Sequence, residues 1–297
     1  MNVLIAGGSG FLGRALTDAL LTYPNTHITW VSRHTATHPS VNILTYQELN
    51  DNLAFDVIIN LAGAGIIDKR WSVAQKQYLM DSRLIPTQAL LNFIATAHHK
   101  PSLFISSSAI GWYGAQSLND NRVLDESSTP VKTDFAHHLC HAWELLANTA
   151  PIPTAIIRTG VVMDKRGGML NKVLPSFQWG LGGQLGSGKQ LISWISLTDW
   201  VRAVIFILQN SLQDALSTHH CYNLCAPTPI DNATFTSILG KHLHRPTFFH
   251  LPAIVVKWLF QERATLLLDG QRVYPKALLD NGFVFQHHTL LSALEGV

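Results

Sequence analysis

Charge is scarce in this chain. Only 13% of its 297 residues are Asp, Glu, Lys or Arg, and the formal net charge is +2. No stripe or cluster of Lys and Arg occurs, which argues against a nucleic-acid partner or an anionic membrane surface. Cysteine is scarcer still, with three in all. An odd, small number argues against a disulfide framework. Cys221 and Cys225 share an apolar, strand-like run, where two buried thiols fit better than a metal pair. Long apolar runs are missing too, since no stretch approaches the ~20 residues of a membrane span. No charged leader precedes the first apolar run, and Gly7 interrupts that run early. It reads as a first strand and not as a secretory signal. Together these absences predict a cytoplasmic protein with no membrane partner. What is abundant is apolar side chain, 47% of the total, enough to bury a large core.

The most informative stretch is Asn2-Val-Leu-Ile-Ala-Gly-Gly-Ser-Gly-Phe-Leu-Gly13. Four apolar residues run into a glycine cluster, and an amphipathic helix follows with Leu12, Ala15, Leu16, Ala19 and Leu20 on one face. Strand, tight turn and helix are the context of a dinucleotide-binding loop. Gly7 lets the chain turn off the strand. Gly10 lacks a Cβ, so backbone can approach a pyrophosphate. Gly13 lets the helix pack closely on the strand. The N–H groups from Ser9 through Phe11 and Leu12 would then meet the phosphates at the positive end of the helix. The spacing is G-x-x-G-x-x-G with Gly8 extra, so a plain glycine turn in a βα unit is the competing reading.

A second strand, His27–Val31, ends at Ser32 and Arg33. NAD-selective folds place a carboxylate about twenty residues past the glycines to hold the ribose 2′-hydroxyl. No carboxylate stands here. A hydroxyl and a cation do, which suits a 2′-phosphate and favours NADP(H) over NAD(H). Further strands are expected at 41–44, 56–63, 103–108 and 154–160, with helices at about 72–97, broken near Pro86, and at about 135–148. Ala62 and Gly63 would flank the cofactor at the carboxyl end of the sheet. Arg70 and Trp71 either wall a pocket or pack at a helix start. The strand at 103–108 ends in three hydroxyls, Ser106, Ser107 and Ser108, of which Ser106 and Ser107 are expected to contact the cofactor. This alternation implies an α/β fold: a Rossmann-type doubly wound parallel sheet, with a smaller, mainly C-terminal α+β substrate lobe. Residues 1–160 and about 190–226 are assigned to the cofactor domain, and 161–189 with 227–297 to the lobe. Gly186-Ser-Gly-Lys189 looks like part of a phosphate loop, but no strand precedes it correctly.

Four stretches carry a family likeness: Gly7–Gly13, Asn60-Leu-Ala-Gly63, Ser106–Gly114 and Gly186–Asp199. With them the chain resembles an atypical extended short-chain dehydrogenase/reductase of the NAD(P)-dependent epimerase/dehydratase superfamily. It is more narrowly similar to the "epimerase family protein" subgroup, through Asp68-Lys-Arg-Trp71, Leu139-Cys-x-x-Trp-Glu144 and Asp269–Lys276. That subgroup ends in a small domain of unknown function, here at about 247–295. The resemblance implies a small-molecule substrate and leaves a homodimer open. It also exposes departures. The family's Tyr-x-x-x-Lys pair falls on Ala136 and Cys140: alanine has no proton to transfer, and a thiol carries no fixed positive charge. Ser108 keeps the place of the polarising hydroxyl, and Tyr113 is the candidate proton donor, with packing beside Gly114 its competing role. His137, His138 and His141 lie on the same helix, as acids or as flank residues. Ile192 stands where sugar-nucleotide epimerases often carry a phosphate-binding arginine. Two functions follow: an oxidoreductase or epimerase with a displaced acid, or an NADP(H)-binding sensor without turnover.

Overall fold

The computed structural model describes residues 1–33, 37–213 and 220–295. Strands β1 (Asn2–Ala6), β2 (His27–Ser32), β3 (Asn42–Thr45), β4 (Val57–Asn60), β5 (Leu103–Ala109) and β6 (Thr154–Thr159) come first along the chain. The short strands β7 (Val161–Asp164), β8 (Gly183–Leu185), β9 (Leu191–Ile192) and β10 (Trp194–Ser196) follow, and then β11 (His220–Leu224). The central sheet runs β11-β6-β5-β4-β1-β2-β3, and every pairing in it is parallel. This is the doubly wound Rossmann-type sheet that the alternating pattern implies. The order reverses between β1 and β4, which opens a crevice at their carboxyl ends.

β1 shows why the sheet forms. Its side chains alternate, and both faces are covered. Val3 and Ile5 pack with Leu16 and Leu20 of α1 (Phe11–Leu20). Leu4 and Ala6 face Leu90 and Ile94 of α2 (Val73–Thr96), with Ala147 of α3 (Phe135–Ala147) in the same cluster. Each such buried aliphatic contributes about 1.5–3 kcal/mol. The expected break at Pro86 does not occur, and α2 runs through it. Proline removes the N–H that would reach the Ser82 carbonyl and crowds that carbonyl with its ring, and Leu90 and Ile94 beyond it are nevertheless buried in the core. One turn on, Thr87 Oγ1 donates to the Arg83 carbonyl at 2.7 Å.

The smaller body contains α4 (Gly168–Gln178) and α6 (Asn232–His242) around Leu170, Leu174, Phe177, Trp194, Phe235 and Leu239. α5 (Leu197–Gln213) instead packs on the central sheet through Trp200 and Val204. The strands here are two to four residues long. β7 pairs β10, β9 pairs β12 (Ile230–Asp231), and β8 pairs β13 (Phe249–Leu251). Short helices α7 (Ala253–Phe260), α8 (Thr265–Leu268), α9 (Lys276–Asp280) and α10 (Leu290–Leu294) complete the chain. No helix among the described residues is long and apolar enough to cross a membrane.

The C-terminal segment joins the two bodies. Leu278, Phe283 and Phe285 pack into the central-sheet core, whereas Leu290 and Leu294 enter the smaller core. Between them the backbone is held by Asp199 in the first turn of α5, which is only 1% exposed. Its carboxylate accepts from the N–H groups of Gln286 and His287, each at 2.8 Å, and from Arg202 Nη1 at 2.8 Å. Hydrogen bonds to a charged group contribute about 1.5–3 kcal/mol each. Asp199→Ala is therefore expected to lower the unfolding free energy by about 2–4 kcal/mol and to open residues 281–288 to limited proteolysis. Urea denaturation with peptide mapping checks both; wild-type protease resistance in the variant would contradict the tether.

Candidate functional site

The glycine loop occupies the crevice between β1 and β4. Gly7 has φ +77°, and a Cβ there would lie 2.7 Å from the Leu61 carbonyl carbon. The other glycines serve contacts that the sequence reading only partly placed. Gly13 does not meet the strand; a Cβ at this position would lie 2.4 Å from the Gly7 carbonyl oxygen, inside the loop itself. Gly8 is not surplus, because a Cβ would sit 2.2 Å from the Trp30 indole. Gly10 is exposed and starts α1 without a side-chain cap, and the first turn carries no acidic residue. The N–H groups of that turn, from Phe11 to Gly13, are left to an incoming acceptor. The Phe11 and Leu12 side chains lean on the central core, and a Cβ at Gly167 would meet the Phe11 ring at 2.4 Å.

A cavity of about 190 Å³ lies over this loop. Gly7, Gly10, Ser32, Arg33, Ala62 and Gly63 all line it. Residues scattered over the first 63 positions are thus collected at one sheet edge. Tyr46, Ser82 and Pro86 line it as well, and the sequence reading missed them. Burial pushes the Tyr46 phenol up to about 12, against the opposing pull of Arg33. Arg83 is a further omission. Its guanidinium lies where a Cβ on Gly63 would come within 3.2 Å of Cζ. It donates to the carbonyls of Ala64 and Leu79, at 3.0 and 3.1 Å, and to Ser82 Oγ at 3.2 Å. Among the described residues it has no ion pair with a carboxylate. Burial lowers its pKa from the ordinary arginine value, and the side chain stays charged. No periodicity marks a single cation inside a long helix, so only the fold could single it out.

The end of β5 is organised differently from the expectation. Ala136 and Cys140, at the positions of the family's tyrosine and lysine, do face this exit: a Cβ on Gly111 would lie 3.3 Å from the Ala136 Cβ and 3.5 Å from Cys140 Sγ. Burial pushes the Cys140 thiol up to about 11, so it is neutral. Ser108 is 4% exposed, and its hydroxyl donates to Glu144 Oε1 at 2.5 Å. Glu144 also pairs with Arg158, through Nε at 2.9 Å and Nη2 at 2.8 Å. Burial works against the Arg158 charge, yet the bonds and charge of Glu144 hold its pKa above the ordinary value. The Arg158 guanidinium lies 3.5 Å from the Trp112 ring centroid.

Tyr113, the candidate proton donor, is packed and hydrogen-bonded. It is fully buried, and its hydroxyl contacts the Asp125 carbonyl at 2.8 Å and Asn223 Oδ1 at 2.9 Å while accepting from Arg158 at 3.2 Å. Burial raises its pKa far above the ordinary phenol value. Ser106 and Ser107, expected against the cofactor, lie at 0% and 8% exposure and are not among the residues lining the smaller cavity. Ser106 Oγ has no hydrogen-bond partner. His137 is buried with Nδ1 2.5 Å from the Trp112 carbonyl, whereas His138 and His141 are exposed. Trp71 packs, with its ring centroid 4.8 Å from that of Phe135, and donates to the Ile66 carbonyl at 2.8 Å, while Arg70 is exposed. No group of three or more His, Cys, Asp or Glu among the described residues could hold a metal ion.

Removing one partner of a buried ion pair strands the other charge, at about 3–5 kcal/mol. Glu144→Gln is expected to destabilise the chain by that amount, whereas a paired Glu144→Gln, Arg158→Met variant should recover part of it. Thermal and urea melts of the three variants check this, and equal stability of Glu144→Gln and wild type would show the pair to be dispensable.

The comparisons with known proteins agree with this geometry. The family model described as "NAD dependent epimerase/dehydratase family" matches residues 3–225, and that of "Domain of unknown function (DUF1731)" matches 251–297. An epimerase family protein of Mycobacterium tuberculosis is 40% identical, with 98% of this chain and 96% of the relative covered. The mouse epimerase family protein SDR39U1 is 33% identical over 100% of this chain and 99% of its own. A crystal structure of the human SDR39U1 protein with NADPH superposes with a TM-score of 0.90 at 32% identity, covering 100% of this chain and 99% of that one. The UDP-glucuronic acid 4-epimerase of Bacillus cereus, at 18% identity and TM-score 0.78, shares the fold. With its glycine loop, its parallel sheet and its C-terminal domain of unknown function, the chain belongs to the NAD-dependent epimerase/dehydratase family.

Proposed function

We propose that this chain binds NADP(H) in the crevice over β1 and β4 and acts as an oxidoreductase or epimerase that does without the family's Tyr-x-x-x-Lys pair. The observation that carries the reading is the convergence of Gly7, Gly10, Ser32, Arg33, Ala62 and Gly63 on one cavity. The uncapped turn Phe11–Gly13 supplies N–H groups for the pyrophosphate. Ser32 and Arg33 supply a hydroxyl and a cation for the 2′-phosphate. Arg83, a cation without a carboxylate beside Gly63, adds positive charge where an anionic cofactor would pass. The residues therefore fit the group. Bound NADP(H) would supply or accept a hydride.

The chain's own part is to bind, orient and shield. The Ser108 hydrogen is directed to Glu144 and the Tyr113 hydroxyl is engaged, so neither is poised to protonate a substrate oxygen. In this reading the proton comes from solvent. Residues 161–189 and 227–297 act as the substrate lobe over the cofactor domain. Three cysteines without a disulfide fit a reducing, cytoplasmic setting. The same engaged hydroxyls favour a second reading, an NADP(H)-binding sensor with no turnover.

Arg33→Gln is expected to weaken NADPH binding about tenfold or more and to leave NADH binding within about twofold, the loss of one charge-assisted phosphate bond. Gly10→Val should abolish both. Fluorescence titration of the purified protein checks these outcomes, and a wild-type chain that retains neither nucleotide would sink the proposal. Turnover is tested by following nicotinamide absorbance with NADPH and a panel of carbonyl compounds and nucleotide sugars. Consumption of any of them supports the enzyme; tight binding with no consumption supports the sensor.

A further inference from the structure

A second cavity, of about 620 Å³, lies apart from the cofactor crevice and shares none of its lining residues. Its size falls in the ~300–1,000 Å³ range of small-molecule sites. Four distant parts of the chain enclose it: the loop 116–123 that follows β5, Lys189 and Leu191, the turn 227–229 after β11, and residues 270–274 of the C-terminal domain. Two isolated bridges, Gln116 to Gly270 and Leu124 to Val273, fasten the loop to that domain. The buried Gln116 amide reinforces the junction. It donates to the Arg122 carbonyl at 2.8 Å and accepts from the Arg272 N–H at 2.8 Å.

The charges at this cavity do not balance. Lys189 and Arg272 both line it. Neither has an ion pair with a carboxylate among the described residues. The one carboxylate in the lining, Asp120, is already engaged by Arg122, whose Nε lies 3.0 and 3.1 Å from its two oxygens and whose Nη2 lies at 2.6 Å. The lining also includes the apolar side chains of Leu118, Val123 and Leu191. The turn Gly186-Ser-Gly-Lys189 acquires a purpose here. Gly186 and Gly188 have φ +54° and +70°, and the Gly188 N–H closes on the Leu185 carbonyl at 3.0 Å. That turn delivers Lys189 to the cavity. Ile192, where the resemblance places an arginine, is spent on packing: it pairs with Ile230 and joins the core of the smaller body.

We propose that this cavity binds a small organic oxyanion, a carboxylate or phosphate ester with an apolar body, held by Lys189 and Arg272. The C-terminal domain of unknown function then has a stated task, to supply one wall and one cation of a ligand site. Taking the ligand as the substrate rests on the function proposed above; the binding itself does not.

Calorimetric titration with phenyl phosphate, phenylacetate and the neutral benzyl alcohol tests it. At least one of the two anions should bind and benzyl alcohol should not, and the tighter anion identifies the source of the charge. Lys189→Gln and Arg272→Gln should each weaken that anion about tenfold, and the double variant about a hundredfold. Both side chains are exposed, so the melting temperature and the affinity for NADPH should stay at wild-type values. Failure of both anions, equal binding of all three probes, or wild-type anion affinity in both single variants would overturn the proposal. Loss of NADPH binding by the wild-type chain alongside retained anion binding would overturn the cofactor reading and leave this one standing.

Discussion

Backbone touches backbone at the head of the crevice, with no room for a carbon in between. Gly7 lies under the Leu61 carbonyl, Gly13 lies on the Gly7 oxygen, and Gly8 lies against the Trp30 ring. Side chains at these positions would push α1 away from the sheet. Trp30 is itself pinned, since its indole N–H donates to Thr17 Oγ1 of α1 at 2.9 Å. Strand β2, strand β4 and helix α1 therefore meet through one short loop. Their closeness is what brings the positive end of α1 to the point where the strand order reverses. Arg33 at the end of β2 and Gly63 after β4 reach the same cavity because these strands flank β1.

The neighbouring strand end obeys a different rule. Buried polar groups are costly unless bonded, and apart from the Ser106 hydroxyl those there bond one another. Ser108, Glu144, Arg158, Tyr113 and Asn223 form one connected network. Asn223 extends it, donating from Nδ2 to the Tyr274 carbonyl at 3.0 Å while its N–H reaches Glu126 at 2.8 Å. The hydroxyls of Ser108 and Tyr113 thus help link β5, β6, α3 and β11. The glycine loop leaves its crevice open, whereas the hydroxyls of Ser108 and Tyr113 are tied into the structure.

The C-terminal segment couples these parts. It contributes Phe283 and Phe285 to the sheet core, Leu290 and Leu294 to the smaller core, and residues 270–274 to the larger cavity. One stretch of chain therefore sets both the attachment of the two bodies and the shape of the space at their junction.

Much of the sheet was legible in the order of residues. Period-two and continuous apolar runs such as Val3–Ile5 and Leu103–Ile105 depend on neighbours along the chain, and so does a glycine turn leading into a helix. The glycines and the residues at the ends of β2 and β4 that line the smaller cavity were legible for the same reason, whereas Ser82 and Pro86, inside α2, were not. The two-residue strands β9 and β12 escaped notice, since so short a run carries no period. Pro86 looked like a helix end because the local penalty is visible and the packing that outweighs it is not. Tyr113 and Ser108 looked reactive because residue type was known and their partners Asn223 and Glu144, 110 and 36 positions away, were not. Local geometry is written in consecutive residues. Whether a hydroxyl is free or a cation unpaired depends on contacts between distant segments, and those exist only once the chain has closed on itself.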